Sequence, residues 1–145
     1  MYNIEPLKPE DVEKCVAACI EYAQEIGEPY QEDHIRKMLV KYSDGSLPVL
    51  VAKNESGEVM GMSAFVCCPH LYNPDIIQAR ELIWHTSPKM GKFSRVKLQK
   101  RLLKIMMATC EQENMSPYVS ADKLGEMLIA EGFKEKNVLY VKEAE

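Results

Sequence analysis

Two apolar runs joined by a single turn constrain this chain's fold more than any other feature. Residues 49–53 are a compact apolar run that reads as a buried strand, and Asn54-Glu55-Ser56-Gly57 is a turn. Residues 58–68 are long enough to return as the second strand of a hairpin. Around this hairpin the apolar spacing changes period. Upstream, Val12, Cys15, Val16, Cys19, Ala23 and Ile26 recur at helical spacing. Pro9 suits the first turn there, Glu10, Asp11 and Glu13 favour the positive end of the dipole, and Gly27 is a stop. A second helix carries Ile35, Met38, Leu39 and Tyr42 on one face and is broken by Ser43-Asp44-Gly45.

Downstream of the hairpin, residues 69–78 read as a loop and 79–86 as a strand closed by Ser87-Pro88. Leu98, Leu102, Ile105, Met106, Thr109 and Cys110 place a long helix over 94–113. A brief strand at 118–120, a helix over 123–131 ended by Gly132, and a last strand at 138–142 complete the chain, which opens with a strand at 2–6. The order β-α-α-β-β-β-α-β-α-β predicts an α/β (α+β) fold with a mostly antiparallel central sheet and helices on both faces. The length, 145 residues, suits one domain with a sizeable core, expected over 1–145.

Charge is unevenly spread. The net charge is −4, yet residues 1–34 hold nine acids against Lys8 and Lys14, and residues 89–104 hold seven bases and no acid. The basic segment is where an anionic ligand is expected. It contains one aromatic, Phe93, and the chain is acidic overall, which argues against a dedicated nucleic-acid binder. No window approaches the ~18 uninterrupted apolar residues of a membrane span. Residues 1–5 lack the basic and apolar regions of a secretory signal, so the cytoplasm is the expected compartment. The five cysteines match no zinc spacing and are expected to be reduced core residues.

The segment Glu81-Leu-Ile-Trp-His-Thr-Ser-Pro-Lys-Met-Gly-Lys-Phe-Ser-Arg95, running on into Val96-Lys97-Leu98, resembles the central strand–turn–helix motif of the GNAT superfamily of acyl-CoA-dependent N-acyltransferases. Ile4–Asp11, the hairpin with Gly57 and Val59-Met-Gly-Met-Ser63, and Leu128-Ile-Ala-Glu-Gly-Phe133 are similar to that family's first strand and helix, its central hairpin, and the end of its last helix. Tyr72-Asn-Pro-Asp75 through Trp84 is also similar to a subset often encoded by bacteriophages. The resemblance implies a GNAT-like domain that takes acetyl-CoA and an amine acceptor.

It also implies where the cofactor would sit. A loop feeding a helix offers free N–H groups and positive partial charge to a pyrophosphate, and glycines let the backbone approach closely. The corresponding residues are Thr86, Ser87, Lys89, Gly91, Lys92, Phe93, Ser94, Arg95 and Val96, with Gly91 the one matching glycine. Ser94 is expected to cap the helix or donate to a phosphate, and Thr86 and Ser87 to supply backbone donors.

Transfer to an amine needs a base for the ammonium proton and an acid for the departing thiolate. The resemblance implies Glu81 as base, with His85 the alternative because its ordinary pKa lies near neutrality. Strand alternation would put Glu81, Ile83 and His85 on one face and Leu82, Trp84 and Thr86 on the other. The family's tyrosine acid falls on Leu128, so Tyr118 is the nearest substitute. An acceptor groove lined by Glu25, Glu28, Glu32 or Asp33 would favour a cationic amine. The single loop glycine and Leu128 equally fit a catalytically silent GNAT-fold protein that binds a macromolecular partner, and exposed strand edges would permit a homodimer.

Overall fold

In the computed structural model, which describes residues 1–119 and 125–135, the hairpin forms the middle of a five-stranded sheet. Strands β1 (Asn3–Pro6), β2 (Val49–Lys53), β3 (Val59–Pro69), β4 (Ile77–Thr86) and β5 (Met115–Tyr118) lie side by side in chain order. All neighbours are antiparallel except β4 and β5, which run parallel across a helical crossover. Helices α1 (Val12–Ile26) and α2 (Glu32–Tyr42) cover one face, while α3 (Lys92–Gln112) and α4 (Gly125–Ala130) cover the other. The fold is α+β with a mostly antiparallel sheet between two helical layers.

The helical stripes find their expected cores. Val12, Cys15, Val16 and Cys19 of α1 pack with Leu39, Val51, Met62, Ala64 and Ile83. On the opposite face Trp84, Leu98, Leu102, Leu103 and Leu128 close around Ala52, and Phe65, Ala79, Met106 and Cys110 form a third cluster. Each such side chain contributes about 1.5–3 kcal/mol on leaving water. Gly61 permits the seating of α3: a Cβ there would stand 3.0 Å from the His85 carbonyl oxygen and 3.0 Å from Leu98 Cδ2. No helix among the described residues is long and apolar enough to cross a membrane.

Four expectations change. Strand β4 starts at Ile77, because Ile77–Ala79 pair with Cys67–Pro69 and lengthen the hairpin. Helix α3 starts at Lys92, since Gly91 already takes the extended N-cap conformation. Strand β5 includes Pro117, opposite Ala79, so it begins before Tyr118. Ser120, residues 123–124 and the strand expected over 138–142 lie outside the described residues.

The fourth change matters most for the site. The β3–β4 register shifts so that Ala64 faces Ile83 but Phe65 faces Glu81, leaving Leu82 as an extra residue in β4. Ala79 and Trp84 are five apart, yet both face the α3 layer, which a regular strand does not allow. The bulge therefore interrupts the alternation expected to group Glu81 with Ile83 and His85.

The cysteines divide into two classes. Cys15, Cys19 and Cys110 are buried, but Cys67 is exposed and Cys68 half-buried, because β3 runs past the helical cover at its end. Burial pushes the Cys15 thiol up to about 12, with Cys19 adding to the effect, and burial pushes the Cys19 thiol to about 11. A thiol reagent at pH 8 should titrate Cys67 and Cys68 and reach the other three only in denaturant. The unfolded chain loses these protons near pH 8.5, so above that the folded state holds more protons than the unfolded one. The stabilisation is complete below about pH 8.5 and falls by ~1.4 kcal/mol per pH unit per thiol above it, toward the folded values. The urea midpoint measured from pH 8 to 10.5 should drop, and Cys15→Ala should flatten the drop.

Candidate active site

The bulge coincides with the point where β4 leaves β5. Their parallel pairing runs from Ile77 opposite Met115 to Arg80 opposite Tyr118, and β4 then continues to Thr86 paired, among the described residues, on its β3 edge alone. Glu81 is the first residue past the pairing. Its Oε1 lies 3.4 Å from the Tyr22 hydroxyl, which donates across from α1. Glu81 thus reaches the α1 side through Tyr22 rather than through strand alternation.

His85 is tied to the same helix. It is 3% exposed, its Nε2 is 2.9 Å from Glu21 Oε1, and its Nδ1 is 3.4 Å from Glu25 Oε2. The Tyr22 ring is tilted against the imidazole at 5.6 Å. With both nitrogens facing carboxylates of α1, the ring's geometry is that of a clamp between β4 and α1.

Arg95 was expected to meet a pyrophosphate, but it turns inward. Its Nη2 donates to the Thr86 carbonyl at 2.8 Å and to both Glu25 oxygens at 3.0 and 3.2 Å, and its Nε donates to Thr86 Oγ1 at 3.2 Å. Glu25 therefore joins the acidic N-terminal segment to the basic one inside the molecule, so their charge separation is partly satisfied internally. The expected acidic groove lining is also largely paired: Glu32 and Asp33 meet Arg36, which Glu13 engages as well.

The turn after β4 is built by Ser87. Its amide donates to the Met60 carbonyl at 2.8 Å, so it is spent in the fold and is not the backbone donor expected of it. Its hydroxyl accepts the Lys89 amide, its carbonyl accepts the Met90 amide, and Met90 anchors the turn in the α3-side core. Gly91 is the N-cap of α3 and no side chain caps it; Ser94 lies inside the first turn, too late to do so. The first-turn amides, of Lys92, Phe93 and Ser94, have no partner within the helix. A Cβ on Gly91 would meet nothing within 4 Å, so the approach is open, and Lys89, Lys92, Phe93 and Ser94 are exposed. Val96 is also exposed, on the outer side of the helix. An open, uncapped helix start between two lysines fits an anionic group such as a pyrophosphate.

Tyr118 sits opposite Arg80, whose guanidinium lies over the ring at 5.5 Å. This places Tyr118 next to the start of the stretch of β4 that β5 has left. Leu128 is 7% exposed in the α3-side core and brings no hydroxyl to the site. Glu21 and Tyr22 went unrecognised as site neighbours; the signal was the spacing of Glu21 and Glu25, four apart on one flank of α1.

No protein-family model matches the sequence, and no curated protein does. Solved structures do match over the whole fold. A predicted acetyltransferase from Clostridium acetobutylicum, crystallised with acetyl-CoA, is 14% identical, with 99% of this chain and 96% of that one covered and a TM-score of 0.76. A GNAT family acetyltransferase from Staphylococcus aureus is 16% identical, with 99% and 98% covered and a TM-score of 0.71. An aminoglycoside 6'-N-acetyltransferase from Acinetobacter baumannii is 16% identical, with 99% of each chain covered and a TM-score of 0.71. These similarities give no support to the phage-encoded subset. At such identities the likeness reports on architecture, and the architecture of this chain is that of the GNAT-family acetyltransferases.

Proposed function

We propose that the protein is an N-acyltransferase that takes an acetyl group from acetyl-CoA to an amine of a small molecule or protein. One observation carries the reading: the β4–β5 pairing ends at Arg80, so a carboxylate, a strand end paired on its β3 edge alone and an uncapped helix start follow one another along a single segment. The acetyl-CoA of the Clostridium acetobutylicum structure and the amine-bearing substrate class of the Acinetobacter baumannii enzyme agree with it in kind.

Acetyl-CoA, when bound, supplies the acetyl group as an activated thioester. The first-turn amides of α3, with Lys89 and Lys92, hold its phosphates, and Thr86, Gly91, Phe93, Ser94 and Val96 border that position. Glu81 takes the proton from the acceptor's ammonium group, with Tyr22 orienting its carboxylate. Backbone N–H groups on the edge of β4 that β5 has left orient the carbonyl. Tyr118, opposite Arg80, offers a proton to the leaving thiolate. His85 and Arg95, both bound to Glu25, fix the distance between α1, β4 and the cofactor loop.

Calorimetric titration with acetyl-CoA and with CoA tests the first step. Binding should weaken between low and physiological salt, and Lys89→Glu and Lys92→Glu should each raise Kd several-fold. Absence of heat with both ligands would overturn the reading. A second reading draws on buried Leu128, which puts no hydroxyl where the resemblance expects the tyrosine acid: a GNAT-fold protein that binds a macromolecular partner and transfers nothing.

A further inference from the structure

Beside Glu81, on the α2 side of the sheet, lies an apolar crevice of about 200 Å³. Met38, Leu39 and Tyr42 of α2 form one wall, and Ala64, Leu82 and Ile83 of the sheet form the other. Leu82 is there because of the bulge. A regular strand would have turned it toward α3 with Trp84, whereas the extra residue tips it into the same crevice as Ile83. Leu82 is 43% exposed, so it stands at the rim, while Leu39 and Ala64 line the floor at 1% and 4%.

We propose that this crevice is the acceptor's side-group pocket, and that the acceptor is a primary amine carrying a compact apolar group of ring or branched-aliphatic size. The inference rests on the acyl-transfer reading for the identity of the amine and goes beyond it in naming the amine's substituent. Size supports it: a dry cavity of about 150 Å³ is enough to take up benzene. Charge complementarity supports it too. The residue next to Leu82 in the chain is Glu81, and Tyr22, which touches the Glu81 carboxylate, also packs on the cluster that contains Leu39, Ala64 and Ile83. A cation held at Glu81 thus has its nearest apolar shelter in this crevice. Glu32 and Asp33, which a polycationic acceptor would need, are held by Arg36.

Benzylamine, with ethanolamine as its polar counterpart, tests the proposal in two independent ways. In methyl NMR spectra of the full chain, benzylamine should shift Met38, Leu82 and Ile83 and bind about 10-fold or more tightly than ethanolamine. Leu82→Asn, at a rim position that tolerates a polar residue, and Ala64→Val, which narrows the floor, should each weaken benzylamine several-fold. Either variant that melts like the wild type is sufficient for the test. In acetyl-CoA assays, kcat/KM should favour benzylamine over ethanolamine by about 10–200-fold. Unshifted crevice methyls, or equal binding of the two amines, would overturn the pocket. Equal acetylation of both would also overturn it while leaving acyl transfer standing. Crevice binding without acetylation of either amine would keep the pocket and remove the transferase reading.

Discussion

An E81Q variant is expected to lose about 10²–10⁴-fold in kcat for amine acetylation with an unchanged melting temperature. The amide has the shape of the carboxylate and still accepts a hydrogen bond from Tyr22, so the α1–β4 contact survives. What it lacks is a site for the ammonium proton. The loss should fall on kcat more than on KM, because the crevice and the loop before α3 are untouched. Steady-state kinetics with the best amine of a panel, alongside thermal melts, provide the check. If E81Q keeps its rate, the base lies elsewhere, and a His85→Gln variant becomes the next measurement. If acetyl-CoA binds but no amine is acetylated by either protein, the macromolecule-binding reading gains.

The second large effect is structural. Phe65→Ala should destabilise the protein by about 3–5 kcal/mol, whereas Phe65→Leu should cost less than about 1.5 kcal/mol. Phe65 heads the fully buried side chains and fills the space between β3 and α3 with Ala79, Met106 and Cys110. It is also the ladder partner of Glu81, at the register shift itself. Truncation therefore opens a cavity beneath the bulge and loosens the carboxylate's mount. At about 2–4 °C per kcal/mol, the melting temperature should fall by on the order of 10 °C. Urea denaturation gives the free energy directly. A cost under about 1 kcal/mol would mean that α3 settles into the gap.

Much of this architecture was legible in the chain. The 3.6-residue spacing from Val12 to Ile26 and from Leu98 to Cys110 gave both major helices, and the turn at 54–57 gave the hairpin, because these signals are local. The site was legible by halves. Glu81, Gly91 and the basic loop stand out in the sequence, but the bulge at Leu82 does not, since it exists only as an offset between two strands. The inward turn of Arg95 was equally hidden: its partner Glu25 lies 70 residues away, and only the packing of α1 over β4 brings them together. The same holds for Tyr22, whose hydroxyl spans 59 residues to reach Glu81.

Strand β4 can be described as two half-strands joined out of phase, one ending near Glu81 and the other beginning at Ile83. Deleting residue 82 would bring the halves into step. Every ladder pair would keep its partner, Ala64 opposite Ile83 and Phe65 opposite Glu81, and Ala79 would still face Phe65 and Met106. Substitution at the same position disturbs neither half, because the Leu82 side chain stands at the rim. The sheet thus keeps its register with or without the extra residue, and what that residue adds is a side chain at the rim of the α2-side crevice. That residue is free to vary, and the fold around it need not change.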